Sequence, residues 1–155
     1  MRTAYRVLAY LLAIEVVIQA AAVAYAFFGE AAWIEGGGVL DKAVMESDVI
    51  PFPEVAGFII HGINGQLVVP LLALLLLVVS FFAKIPGGVR WAAIVLLVVV
   101  VQVLLGMFGR GLPALGMLHG VNALILFTTA VVAARLASGT RSEGRVRVSE
   151  RADLG

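Results

Sequence analysis

The sequence predicts an all-α membrane protein, a bundle of four transmembrane helices in up-down order. Three observations carry this. Apolar residues make up 62% of the 155-residue chain and charged residues only 14%, well below the roughly one-quarter charged share of a soluble domain. Four segments, 7–28, 57–83, 91–109 and 114–136, each approach the roughly 20 mostly apolar residues that a helix needs to cross hydrocarbon. The stretches outside them hold nearly all the charged residues and four of the five Pro, as segments at a membrane surface should. Residues 1–137 therefore read as one transmembrane domain, and 138–155 as a polar, Arg-rich tail expected to be disordered. The lipid bilayer is the first partner implied, and no nucleic acid is expected. With no cysteine in the chain, disulfides, thiolate metal sites and thiol redox chemistry are excluded.

The first span follows Arg2 and Arg6, and Ala24-Tyr25-Ala26 resembles a signal-peptide cleavage site. Its apolar run is longer than the ~7–15 residues of a signal peptide's apolar core, and Glu15 lies in the middle, so a retained helix is expected. As the lone acid inside a span, Glu15 is a candidate for a protonated, paired or proton-relaying role. The outer loop, 29–55, is acidic and longer than a helix connection usually needs. Gly36-Gly37-Gly38 breaks it, and Pro51 and Pro53 stiffen its end. Val39 to Val49 suits a short surface helix with Leu40, Val44 and Val39 toward the bundle, as a solvated connector or as a lid. The turns at 85–88 and 109–113 are short, which makes the helices they join antiparallel neighbours.

Nine of the eleven Lys and Arg residues fall before the first span, in the turn after the second, or from the last turn of the fourth onward. By the positive-inside rule both termini should be cytoplasmic. The expected location is a bacterial or archaeal cytoplasmic membrane, crossed several times.

Two segments of the chain echo each other. His61-Gly62-Ile63-Asn64-Gly65 stands near the start of the second span, and His119-Gly120-Val121-Asn122-Ala123 near the start of the fourth, and these are the chain's two histidines. The first span's Val16-Val17-Ile18-Gln19 parallels Val99-Val100-Val101-Gln102 in the third. Two hairpins, each with Gln on one helix and His plus Asn on the next, suggest an internal duplication.

Both histidines should lie ~6–8 Å below the outer boundary. In an up-down bundle with neighbours ~8–10 Å apart, the second and fourth helices face across a diagonal of ~11–14 Å, which permits two imidazoles to meet one metal from opposite sides of a flat ring. Two His are too few for zinc but suffice as axial ligands of haem. His61 and His119 are thus candidate ligands of one haem b. Asn64 and Asn122, three residues on, share their faces and suit either hydrogen bonding around the cofactor or interhelical pairing. Gly62 and Gly120 leave room for a macrocycle, and equally for close helix packing. Gln19 and Gln102 read as interhelical hydrogen-bonding groups. Arg110, at the outer mouth, suits a haem propionate or an interfacial anchor.

A Gln-x-x-x-Gly span, Gln102 to Gly106, followed by Leu-His-Gly-x-Asn-Ala, Leu118 to Ala123, resembles a group of small four-helix bacterial membrane proteins. It is also similar to one four-helix half of haem A synthase. The resemblance covers about residues 5–137 and implies axial histidines on the second and fourth helices near the outer face, here His61 and His119. Where haem A synthase-like proteins carry Glu three residues before the first ligand and Arg just after it, this chain has Phe58 and Gly62. It also lacks the cysteine pair and the second half. The oxidase activity is therefore not expected. The sequence-level expectation is a cytochrome b-like protein for electron transfer or for redox or haem sensing, with a redox partner or quinone. A cofactor-free scaffold or accessory subunit is the alternative, and an enzyme acting on haem or an isoprenoid lipid a third.

Overall fold

In hydrocarbon a peptide group finds hydrogen-bond partners only in other peptide groups, so spanning segments close their bonds within a helix. The computed structural model describes the backbone of residues 1–152 and side chains as far as residue 138, and the described residues form helices and turns without strands. Helix α1 covers Arg2–Glu35, α2 Lys42–Glu46, α3 Ala56–Ile63, α4 Val69–Ala83, α5 Gly88–Gly109 and α6 Pro113–Ala152. Four stretches, Arg2–Glu35, Pro53–Ala83, Gly88–Gly109 and Pro113–Ser138, are long and apolar enough to cross a membrane. The four expected spans are all present, each reaching at least as far at both ends. The tail expected to be disordered has its side chains beyond residue 138 outside the described residues, while the α6 backbone runs to Ala152.

Within this framework the chain forms two compact units, one of Met1–Val16 with Val69–Gly155 and the other of Val17–Val68. The first is a four-helix core. Buried residues recur every three or four positions: Tyr5, Ala9 and Leu12 on α1, Ala73 and Leu76 on α4, Ala92, Val95 and Val99 on α5, and Ala130, Ala133 and Ala134 on α6. Lipid tails are as apolar as Leu, so burial supplies little driving force here. Alanine instead lets backbones approach and gain dispersion contacts. Polar ties close one end: Arg2 Nη2 donates to the Lys84 carbonyl at 2.8 Å and Tyr5 Oη to the Gly88 carbonyl at 3.0 Å.

The second unit pairs the later half of α1 with α3. A Cβ at Gly57 would collide with the Ala22 carbonyl oxygen, so glycine is what permits this approach. Phe27 and Phe58 stack edge to face at 5.1 Å, and Trp33 packs on buried Phe52 at 5.5 Å. Helix α1 ends in a Schellman motif: Gly38 N–H bonds to Trp33 O, Gly37 N–H bonds to Ile34 O, and Gly37 takes φ +99°.

The loop differs from expectation in two respects. Because α1 continues to Glu35, the connection begins only at Gly36, and its helix is just Lys42–Glu46, capped by the Asp41 side chain at 2.9 Å from Val44 N. Val44 is half-buried, but Val39 and Leu40 are exposed rather than turned inward. The Asp41 cap fixes where the helix starts, leaving both residues outside its periodic face.

Between α3 and α4 the span is not α-helical. Asn64–Val68 forms a π-helical turn. Pro70 follows, without an N–H and with a ring that would strike the carbonyl of Gln66 four residues back in an ideal α-helix, and a wider turn relieves both problems.

Candidate functional site

The turn end of the α5–α6 hairpin holds the best-defined polar cluster, and two backbone carbonyls fix its protons. Asn122 Nδ2 lies 3.0 Å from Val98 O and 2.7 Å from Gln102 Oε1. A carbonyl oxygen only accepts, so the Asn122 atom facing Val98 is the amide nitrogen, and the Gln102 atom it also meets is the oxygen. The other end of the Gln102 carboxamide, Nε2, therefore donates to His119 Nε2 at 3.1 Å. His119 Nδ1 sits 3.0 Å from the Gln102 backbone oxygen and must carry a proton. The ring is thus the neutral Nδ1–H tautomer, with its lone pair on Nε2.

Packing holds the ring there. A Cβ at Gly106 would come 3.0 Å from His119 Cε1, so the imidazole edge rests where residue 106 has no side chain. The Gln-x-x-x-Gly spacing puts Gly106 one turn beyond Gln102 on the same face of α5. The motif has a physical meaning: Gln102 grips both ring nitrogens and Gly106 makes the space.

The matching residues in Val17–Val68 are arranged differently. Gln19 lies against the π-helical turn: a Cβ at Gly65 would fall 3.2 Å from Gln19 Oε1. Both polar atoms of its carboxamide are buried without a hydrogen-bond partner among the described residues. In the α5–α6 hairpin the glutamine meets His119 and Asn122, whereas here it faces the position one after Asn64. His61 and Asn64 are half-buried and make interactions of their own. The repeat is therefore one of sequence more than of contacts, and the π turn that opens at Asn64 marks where the two hairpins part.

The structure thus brings His119 and Asn122 together with Gln102. His61, Asn64 and Gly62 belong to the other unit. Gly62 and Gly120 each have open space where a Cβ would project. Arg110 is exposed in the α5–α6 turn, outside the hydrogen-bonded cluster. Among the described residues no group of three or more His, Cys, Asp or Glu is placed to hold a metal ion. The feature that sequence reading passed over is the π turn, and Pro70, alone within a span, was its signal.

Four spans and this hairpin cluster define a polytopic, all-α membrane protein with a histidine in its fourth span hydrogen-bonded to a glutamine in its third. No protein-family model, curated protein or solved structure matches the chain.

Proposed function

We propose that this is a haem b-binding membrane protein serving electron transfer or redox or haem sensing, with His119 as one axial imidazole. The supporting observation is the state of its ring: Nδ1–H is bonded to the Gln102 carbonyl, so the lone pair sits on Nε2. A ligating histidine is usually held in this way, by donation from its second nitrogen to a carbonyl or carboxylate. The obstacle is the Gln102 carboxamide on Nε2. Turning it aside gives up its bonds to His119 and from Asn122, each worth about 1 kcal/mol net, a small cost beside a metal–ligand bond. His119 is therefore fit for ligation, with Gln102 as a removable cover. The chain's other imidazole, His61, is the candidate for the second axial position. Bound haem would supply a one-electron couple, and the protein's part is to fix the imidazole and surround it with hydrocarbon.

A second reading has its own support. The same Nε2 contact completes an unbroken chain from Val98 O through Asn122 and Gln102 to His119. Such a chain suffices as interhelical glue in a cofactor-free scaffold or accessory subunit. The visible spectrum of protein purified from haem-replete cells separates the two. The haem reading expects a six-coordinate, low-spin Soret spectrum that is lost in His119→Ala and in His61→Ala, and slower haem loss in Gln102→Ala, where Nε2 is uncovered. A folded protein with no Soret band, even after haem is added, leaves the scaffold reading standing.

A further inference from the structure

A glutamine stands exposed inside a membrane span. Gln66 is thirteen residues after Pro53 and seventeen before Ala83 in the span those residues bound, so it lies well inside the hydrocarbon depth. Its side chain is exposed, and its carboxamide has no hydrogen-bond partner among the described residues. It edges an open groove of about 380 Å³ lined by Phe58, Ile59, Gly62, Ile63, Gln66 and Leu67. Ile59, Ile63 and Leu67 are 48%, 58% and 66% exposed. Gly62 forms its floor, with nothing within 4 Å of where a Cβ would lie.

We propose that this face, Phe58 to Leu67, is where two copies of the chain pair, with the two Gln66 carboxamides hydrogen-bonded to each other. The chemistry of Gln66 selects the occupant. A primary amide in hydrocarbon requires both a donor and an acceptor. An acyl chain offers neither, and lipid headgroups do not reach this depth. A second copy offers both, because a two-fold axis along the membrane normal puts the partner's Gln66 at the same depth and pairs donor with acceptor twice over. The groove adds shape: with no side chain at Gly62, the backbones approach closely, and Ile59 and Ile63 become knobs for the opposing groove. This pairing is independent of haem, since it uses neither histidine.

The chain has no cysteine, so single-cysteine variants of the full-length protein in liposomes test the proposal directly. Under copper-phenanthroline oxidation, Ile63→Cys should cross-link into a homodimer while Leu74→Cys, exposed on α4, should not. Adding Gln66→Leu, which keeps size on an exposed face, should reduce the Ile63→Cys cross-linking rate at least tenfold at high lipid dilution. Gly62→Leu, which fills the groove, should do the same. Monomer at every lipid ratio, a dimer indifferent to Gln66→Leu, or cross-linking in native membranes to a different protein would each overturn the pairing.

Discussion

Gln102 and Gln19 show how differently one side chain acts in two settings. Gln102 uses both ends of its carboxamide, donating to His119 and accepting from Asn122. Gln19 uses neither end. Replacing Gln102 by Leu leaves the His119 and Asn122 groups short of partners, an expected loss of about 1–3 kcal/mol. Replacing Gln19 by Leu removes a buried amide that has no bond to lose, so stability should hold or rise. Reversible unfolding of the two variants in one detergent reads the difference. Equal destabilisation would mean that Gln19 has a partner in the membrane after all. A third substitution tests the direction of the cluster: Asn122→Asp replaces the Nδ2 donor to both Val98 O and Gln102 Oε1 with an acceptor, so it should disturb the hairpin more than Asn122→Ala.

At the scale of elements, Gly57 and Pro70 decide the course of the second span. At Gly57 any side chain meets the Ala22 carbonyl oxygen, part of a backbone that cannot swing away. Gly57→Val should therefore push α1 and α3 apart, at a cost of about 1–3 kcal/mol or more, visible as a lowered unfolding midpoint and loss of the Phe27–Phe58 contact. Pro70→Ala restores an N–H four residues beyond the Gln66 carbonyl and should draw Asn64–Val68 toward α-helix. Amide hydrogen exchange over 64–70 should then slow, and unchanged exchange would shift the cause of the wide turn to Gly65. The spans themselves were legible in the sequence because length and hydropathy alone determine them in a bilayer. The π turn was legible in principle, through Pro70, but pentapeptide similarity drew attention to what His61 and His119 share. Val39 and Leu40 were misplaced for another reason: in an eleven-residue loop segment a single cap such as Asp41 outweighs apolar periodicity.

For the molecule as a whole, the charge distribution makes a prediction that does not depend on any side-chain contact. Nine of the eleven basic residues share one expected side, so both ends of the chain should face the cytoplasm and the loop after Glu35 should face outward. In intact cells an impermeant thiol reagent should label Ser47→Cys and spare Ser142→Cys, and the reverse pattern inverts the topology. The candidate site was partly legible at this scale. The sequence singled out His119, Asn122 and Gln102 as polar groups in apolar spans, while the proton order that joins them depends on the carbonyls of Val98 and Gln102, which no sequence pattern reveals. One feature of the first unit also bears on how the chain is made. Its opening segment, Met1–Val16, is separated from the rest, Val69 onward, by the whole second unit, and the Tyr5 hydroxyl bonds to a residue 83 positions later. At roughly 5–20 residues per second, the ribosome delivers Gly88 about 4–17 s after Tyr5. Throughout that interval the start of α1 must wait in or beside the translocon with its Tyr5 hydroxyl unbonded to its final partner, which makes the newborn chain's first helix the one most in need of an attendant.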